Sequence, residues 1–184
     1  MPIQTPICDF GQKALPFELK STDNKIISLD NIKGENGTLI MFICNHCPYV
    51  KAVTKEIVED CNELKKIGIN SVAICSNDAV NYPEDSFENM IKFSNDNHFN
   101  FSYLQDETQE IAKAYDAVCT PDFFGYNKDL GLQYRGRLRE LKNFVPVKDG
   151  ESDLLKAMKQ IAETSKGPQN QIPSAGCGIK WKYD

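Results

Sequence analysis

The segment that decides the fold is Thr38–Lys66, with the sequence TLIMFICNHCPYVKAVTKEIVEDCNELKK. It opens with the apolar run Leu39–Ile43, which is short enough for a strand and apolar enough to be buried on both faces. After Pro48 the apolar residues recur at helical spacing, at Val50, Val53, Ile57, Cys61 and Leu64. Charged residues fill the other side of that helix: Lys51, Lys55, Glu56, Glu59, Glu63 and Lys65. The segment therefore predicts a buried strand that leads directly into an amphipathic helix.

A C-x-x-C pair, Cys44 and Cys47, lies at the predicted junction between strand and helix. The first backbone N–H groups of a helix have no helical partner and carry the positive end of the dipole, so they stabilise a nearby thiolate. The thiolate is the nucleophile of disulfide exchange. We predict Cys44, at the mouth of the turn, as the attacking thiol, and Cys47, in the first helical turn, as the resolving thiol. Pro48 is compatible with the first turn.

Other kinds of site can use a C-x-x-C pair. A structural zinc site needs a second ligand pair, but Cys61, Cys75 and Cys119 are scattered singly. A c-type haem needs a histidine after the second cysteine, where this chain has Pro48. The strand-to-helix position favours redox chemistry and no bound metal. A Cu(I)-binding protein that uses both thiols of the pair, with His46, stays open as an alternative.

Composition indicates a single domain, residues 1–184, with no nucleic-acid partner. The net charge is −5 and the isoelectric point is near 5.1, which argues against a nucleic-acid surface. We expect the densest basic spot, Arg135, Arg137 and Arg139, to lie along a solvated strand edge.

The sequence also predicts a cytoplasmic protein without a membrane partner or a cofactor. No apolar run approaches the roughly 20 residues of a membrane span. The N-terminus lacks the basic and apolar regions of a signal peptide. Seven cysteines at irregular spacing do not suggest the disulfide framework of a secreted protein.

The rest of the chain predicts alternating strands and helices around this unit. Residues 17–29 predict a β-hairpin. Ser71–Cys75 predicts a second buried strand, and strand, helix and strand together imply parallel pairing with a right-handed crossover. The middle of the chain predicts a helix that starts at Tyr82–Ser86, a strand at Phe101–Leu104 and a helix capped by Asp106. The last third predicts a hairpin around Lys128–Asp129, a helix from Ser152 and a polar tail from Gln169.

This order resembles an α/β thioredoxin-like fold: a central mixed β-sheet flanked by helices, with an N-terminal β-hairpin and a C-terminal tail. The chain also resembles a peroxiredoxin-like family of the AhpC/TSA superfamily that carries a CNHCP motif. That resemblance rests on CNHCPYVKA (Cys44–Ala52), YPEDS (Tyr82–Ser86), YLQDETQEIAKAY (Tyr103–Tyr115), CTPDFF (Cys119–Phe124) and GCGIKW (Gly176–Trp181).

The resemblance to thioredoxins implies roles for individual residues. Cys44 and Cys47 match the redox pair, and Thr120-Pro121 matches the residue and cis-proline that face the dithiol and bind the substrate backbone. The chain departs from thioredoxins at Ile43, where they have tryptophan, and at Thr38, where they have a buried aspartate.

The chain departs from peroxiredoxins as well. Their peroxidatic cysteine matches Cys47, but Ile40 and Cys44 stand where their P-x-x-x-T/S-x-x-C loop has proline and a hydroxyl. The catalytic arginine of peroxiredoxins matches a position near Cys119-Thr120, where this chain has no arginine. We therefore expect a slow reaction with peroxide.

Three further residues, Asn45, His46 and Cys119, are expected to modulate the site, and a fourth, Cys177, is either a further redox thiol or a docked, unreactive cysteine. Asn45 and His46 separate the cysteines, and a charged His46 would favour the Cys44 thiolate. Cys119, directly before Thr120, is expected near the dithiol. Cys177, sterically open between two glycines, is predicted to form a disulfide with Cys119 or with the C-x-x-C pair.

The expected function is that of a thiol–disulfide oxidoreductase. Its expected partners are protein or low-molecular-weight disulfides and thiols, with a thioredoxin or glutathione system as reductant. A thiol peroxidase with antioxidant activity, of the AhpC/TSA type, is an alternative, beside the Cu(I)-binding protein.

Overall fold

The computed structural model describes residues 1–183. Its strands are β1 (Ile3–Gln4), β2 (Glu18–Ser21), β3 (Ile26–Ser28), β4 (Gly37–Phe42), β5 (Ile69–Cys75), β6 (Ser102–Gln105), β7 (Cys119–Thr120), β8 (Asp122–Tyr126), β9 (Leu132–Tyr134), β10 (Leu141–Lys142), β11 (Val145–Pro146) and β12 (Ala175–Gly178). Its α-helices are α1 (Leu29–Ile32), α2 (Pro48–Lys66), α3 (Phe87–Asp96), α4 (Glu110–Tyr115) and α5 (Asp153–Thr164), and a short 3-10 turn covers Pro83–Asp85.

The main sheet is mixed and has seven strands in the order β3-β2-β6-β5-β4-β8-β9. The apolar run of the sequence forms β4, which pairs parallel with β5 and antiparallel with β8. Helix α2 connects β4 to β5, so the predicted strand–helix–strand unit is confirmed. The two predicted hairpins, β2–β3 and β8–β9, are confirmed as well.

Strand β4 is buried on both faces because a hydrophobic core lies on each side of the sheet. Leu39 and Met41 pack into the core that includes residues of α2, α3 and α5. Ile40 and Phe42 pack into the other core, with residues of α1 and α4. This alternation follows from the two-residue period of a strand.

The C-terminal tail forms a strand rather than a purely irregular segment. Strand β12 lies in the middle of a second sheet, in the order β1-β12-β7, and pairs antiparallel with both neighbours. Gly176 permits this close approach, because a Cβ atom there would lie 2.0 Å from the Thr120 carbonyl oxygen. The pairing places Cys177 opposite Thr120.

The prediction of a solvated arginine edge is wrong. Arg135 is 5% exposed and its Nη2 lies 2.9 Å from Asp122 Oδ2, while Arg137 is partly exposed. Arg139 is 8% exposed and its Nη2 lies 2.6 Å from Glu56 Oε2. The spacing of the sequence placed Glu56 on the exposed face of α2. It is buried instead, because Arg139, from a distant loop, covers it and pairs with it.

Asp106 is not the N-cap of α4, since Gln109 occupies that position. Its carboxylate instead accepts hydrogen bonds from the N–H groups of Ile111 and Ala112, at 3.3 and 2.9 Å. No helix within residues 1–183 has both the length and the apolar composition that a membrane crossing requires.

Candidate active site

The dithiol lies in the loop between β4 and α2. Cys47 is the N-cap of α2, and its carbonyl oxygen accepts a hydrogen bond from Lys51 N–H at 2.9 Å. Cys47 thus precedes the first helical turn instead of lying inside it, because Pro48 takes the first helical position, where no N–H is needed. Cys44 and Cys47 are both buried, at 1% and 0% exposure.

The peptide bond between Thr120 and Pro121 is cis, as the resemblance to thioredoxins implies. Thr120 lies directly against the dithiol. Its Oγ1 is 3.5 Å from Cys44 Sγ, and its carbonyl oxygen is 3.3 Å from Cys47 Sγ. The sequence-predicted residues Cys44, Cys47 and Thr120 are therefore in contact.

Cys47 is the more acidic of the two thiols. A hydrogen bond from the Cys44 thiol is the main cause that lowers the pKa of Cys47, from 9.0 to about 4. Hydrogen bonds from the Cys177 thiol, the Thr120 side chain and the Val50 N–H lower it further and outweigh burial, which raises it. The Thr120 carbonyl oxygen, 3.3 Å from Cys47 Sγ, acts in the opposite direction and favours the protonated thiol. The balance of these causes lowers the pKa of Cys47.

Cys44 has the opposite shift. The hydrogen bond with Cys47, burial and the charge of Asp85, in that order, raise the pKa of Cys44 well above its usual range. The assignment of Cys44 as the attacking thiol and Cys47 as the resolving thiol stays a prediction, because the two shifts belong to the pair of thiols together. Two local features favour Cys47 as the more acidic member: it sits on the helix N-terminus, while Cys44 faces a carboxylate.

Asp85 is a site residue to which sequence reasoning gave no role. It is 1% exposed, and its Oδ1 accepts a hydrogen bond from the Asn45 N–H at 2.8 Å. Its Oδ2 accepts from Asn77 Nδ2 at 2.9 Å and lies 2.7 Å from His46 Nδ1. The available signal was its position in YPEDS, one of the segments that carry the resemblance.

Asn45 and His46 fix the loop between the cysteines. The Asn45 side chain accepts a hydrogen bond from Tyr103 OH at 2.8 Å and donates to the Glu84 carbonyl oxygen at 3.1 Å. His46 is half-buried and contacts Asp85. The imidazole thus lies against the carboxylate whose charge acts on Cys44.

Of the two candidate accessory thiols, Cys177 is the one that contacts the dithiol. Its Sγ lies 2.9 Å from Cys47 Sγ. Cys119 is buried, which raises its pKa, and its Sγ lies 3.6 Å from the Pro121 carbonyl oxygen. Cys119 and Thr120 are consecutive residues of β7, so their side chains point to opposite faces.

Residues 10–140 match the family model described as "AhpC/TSA family". The chain belongs to the AhpC/TSA family. Among solved structures, an uncharacterized conserved protein from Geobacillus kaustophilus is 42% identical with a TM-score of 0.94, and the match covers 100% of this chain and 98% of that one. A hypothetical protein from Sinorhizobium meliloti is 30% identical with a TM-score of 0.90, and both chains are covered fully, at 100%. No curated protein matches the sequence.

A more distant match shows the fold of this AhpC/TSA-family protein. A putative thioredoxin from Neisseria meningitidis is 19% identical with a TM-score of 0.61, and the match covers 83% of this chain and 89% of that one. The predicted thioredoxin-like fold, with its central mixed sheet flanked by helices, is therefore confirmed.

This AhpC/TSA-family protein has a cleft of about 250 Å³ beside Pro121. Tyr49, Leu138, Ile172 and Ala175 contribute to its walls. A larger groove, of about 720 Å³, lies along β2 and α4, and Pro121 is not among its lining residues. We consider the smaller cleft the one relevant to the thiols, because it shares Pro121 with the site.

Proposed function

We propose that this AhpC/TSA-family protein is a thiol–disulfide oxidoreductase with Cys44 and Cys47 as its redox pair. The observation that carries the proposal is the geometry of the site: Cys47 Sγ lies 3.3 Å from the carbonyl oxygen of Thr120, directly before the cis peptide bond to Pro121, and the Cys44 thiol lowers the pKa of Cys47. Such an acidic thiol is ionised at neutral pH and ready for disulfide exchange.

In the proposed reaction the Cys47 thiolate attacks one sulfur of a partner disulfide. The partner's S–S bond breaks, and its second sulfur leaves with the electron pair as a thiolate. Cys44 then loses its proton and attacks the Cys47 sulfur, which releases the partner's first sulfur and forms the Cys44–Cys47 disulfide. The nearest carboxylate, Asp85, has an oxygen within 4.8 Å of Cys44 Sγ, so transfer of that proton to Asp85 requires a bridging water.

The surface beside the site suits a protein partner. Tyr49 follows the C-x-x-C-P segment and packs edge-on against Phe144, with ring centroids 4.9 Å apart. Phe144, Val145 and Ile172 are exposed apolar residues in the same region as the cleft. We propose protein or low-molecular-weight disulfides as partners, a thioredoxin or glutathione system as reductant, and the cytoplasm as location.

Disulfide exchange with glutathione tests this function. The reduced protein should convert glutathione disulfide to glutathione, and Cys47→Ser should abolish the reaction while Cys8→Ser should not. In Cys44→Ser/Cys177→Ser the mixed disulfide should accumulate on Cys47 and allow partners to be isolated from a cytoplasmic fraction. Accumulation on Cys44 in Cys47→Ser instead would restore the attack order expected from the sequence.

Membership in the AhpC/TSA family favours thiol peroxidase activity as a second candidate. The acidic Cys47 suits it, but within residues 1–183 the hydrogen bonds of Cys47 include none from an arginine. Arg135 is held by Asp122 instead. A peroxide oxygen therefore lacks a charged donor that would stabilise the leaving group. Stopped-flow mixing with hydrogen peroxide should give a rate near that of a simple thiolate, and a much faster rate would favour the peroxidase.

A Cu(I)-binding protein remains a non-enzymatic candidate. One possible ligand atom from each of Cys44, His46 and Asp85 lies within 4.8 Å of the others. The carboxylate is a poor donor for Cu(I), which prefers soft thiolates, and hydrogen bonds already engage both of its oxygens. Copper analysis of freshly purified protein should find no stoichiometric ion.

A further inference from the structure

We propose that Cys177 is a third redox thiol, which closes an intrachain disulfide with Cys47 and so makes the protein's own tail the first disulfide partner of the site. The proposal rests on the proposed function in one respect, that Cys47 attacks a disulfide.

The two sulfurs are already in contact. Cys177 Sγ lies 2.9 Å from Cys47 Sγ. An S–S bond is about 2.05 Å long, so the sulfurs need to approach by only about 0.9 Å.

Strand pairing on both sides fixes the position of Cys177. Strand β12 pairs with β7, with Cys177 opposite Thr120, and with β1, with Gly176 opposite Ile3. The thiol is therefore carried by the central strand of a sheet and not by a loose terminus. Its partner strand β7 is the segment that contacts both cysteines of the pair.

The residues after Cys177 are anchored as well. The Lys180 N–H donates to Asn77 Oδ1 at 2.9 Å, and the Lys180 carbonyl oxygen accepts from the Asp78 N–H at 2.8 Å. Ile179 is buried. A thiol that is held between two anchored segments beside its target sulfur reacts with a high effective concentration.

Cys177 becomes easier to ionise in the state in which it must react. Burial, then the hydrogen bond and the negative charge of Cys47, raise the pKa of Cys177 to about 12. Once Cys47 is part of a mixed disulfide, its sulfur is neutral and the effect of its charge disappears. Cys177 is also half-buried, whereas Cys44 is buried, so its proton has a path to solvent.

The reaction balances with a disulfide as oxidant. The Cys47 thiolate attacks a disulfide RSSR, its S–S bond breaks, and RS⁻ leaves. Cys177 gives its proton to solvent and attacks the Cys47 sulfur, which forms the Cys47–Cys177 bond and releases the second RS⁻. The two protein thiols lose two electrons, and RSSR gains them. Attack by Cys44 on the Cys47 sulfur then yields Cys44–Cys47 and frees Cys177.

The decisive experiment uses the full chain with Cys44→Ser, so that Cys47 and Cys177 remain as the contacting thiols. The reduced variant is mixed with equimolar glutathione disulfide, quenched with acid at intervals and mapped by mass spectrometry of unreduced peptides. We expect a Cys47–Cys177 disulfide with both halves of the glutathione disulfide released. In Cys44→Ser/Cys177→Ser the glutathione adduct on Cys47 should persist at least about tenfold longer. Cys44→Ser/Cys8→Ser is the matched control, and its adduct should resolve as fast as in Cys44→Ser.

A lasting adduct on Cys47 beside a free Cys177 thiol would overturn this inference and leave the proposed function intact, because Cys47 would have attacked a disulfide. A Cys47 that stays a free thiol would overturn both. Wild-type protein gives a second measurement that needs no substitution. During its oxidation the Cys47–Cys177 disulfide should appear before the Cys44–Cys47 disulfide. If Cys44–Cys47 forms without any earlier Cys47–Cys177 disulfide, Cys177 is not a redox thiol of the site.

Discussion

At the scale of single residues, the difference between the two thiols of the C-x-x-C pair comes from their neighbours. Cys47 receives hydrogen bonds from two other thiols and from the first turn of α2. Cys44 donates a hydrogen bond to Cys47 and faces the buried carboxylate of Asp85. Sequence spacing identifies the pair, but it does not show which cysteine the neighbours favour as thiolate, since Asp85 and Cys177 are remote in the chain.

The pH dependence of alkylation tests this difference. The folded-state pKa of Cys47 is lowered from 9.0, so the rate of its alkylation by iodoacetamide, which burial of the thiol limits, should hold its neutral-pH value below pH 7 and fall only in the acidic range. A thiol whose pKa is lower in the folded than in the unfolded protein also makes the stability depend on pH. The contribution of Cys47 is complete above its unfolded pKa of about 9 and is lost as the pH falls toward its folded pKa of about 4.

The substitution Cys44→Ala removes the main hydrogen-bond donor and should move the midpoint for Cys47 to higher pH. Cys8→Ala should leave it in place. Peptide mass spectrometry resolves the labelling of each cysteine. An unchanged midpoint in Cys44→Ala would show that the dithiol hydrogen bond does not set the acidity of Cys47.

At the scale of secondary-structure elements, α2 is held in place by a buried ion pair as well as by its apolar face. Arg139 binds Glu56 of α2 and also donates to the carbonyl oxygens of Val147 and Gly150, at 2.8 and 2.7 Å. One arginine thus joins the helix that carries Cys47 to the loop beyond β11. Removing one member of such a pair leaves a buried charge without a partner.

We expect Arg139→Met to lower the free energy of unfolding by about 3–5 kcal/mol, because Glu56 would be left buried and unpaired. Arg137→Met is the matched control. Arg137 pairs with the partly exposed Asp153, so its loss should cost at most about 1 kcal/mol. Urea denaturation measures both, and Glu56→Gln/Arg139→Met should recover part of the loss. Equal costs for the two single variants would contradict a buried, structural pair.

The contact between β12 and β7 depends on Gly176. A Cβ atom there would lie 2.0 Å from the Thr120 carbonyl oxygen, so Gly176→Ala should push the strands apart. We expect a loss of about 1–3 kcal/mol in stability, faster amide exchange in β12 and less Cys47–Cys177 disulfide in a glutathione buffer. Gly131→Ala is the control, since its nearest atom would be 3.5 Å away. Unchanged disulfide formation in Gly176→Ala would show that strand pairing does not position Cys177.

At the scale of the whole molecule, the sequence predicts the parts that depend on local patterns. The long apolar periods of β4, α2 and β5 specify the central unit, and a C-x-x-C pair at its junction specifies the site. Strand β12 was missed because AGCG has no alternating pattern and its pairing is decided by β7, far away in the chain. Asp85 was missed because carboxylates are mostly exposed, and its burial depends on partners from two loops.

The redox potential combines these features into one property of the molecule. A thiolate of low pKa stabilises the reduced protein, so the dithiol should be a stronger oxidant than thioredoxin, whose potential is about −270 mV and whose cysteine has a pKa near 7. The Cys44 thiol and the other donors lower the pKa of Cys47. Each pKa unit is worth about 30 mV for this two-electron couple, so we expect a potential measurably higher than that of thioredoxin.

Equilibration with glutathione buffers, followed by acid quenching and mass spectrometry, measures that potential. His46→Ala should make it more negative, because it removes the Nδ1 contact to Asp85, the carboxylate whose charge raises the pKa of Cys44. His98→Ala is the control, since His98 is exposed at the end of α3. A wild-type potential at or below that of thioredoxin would mean that the acidity of Cys47 is offset in the oxidised state. If His46→Ala and His98→Ala have the same redox potential, His46 does not influence the dithiol.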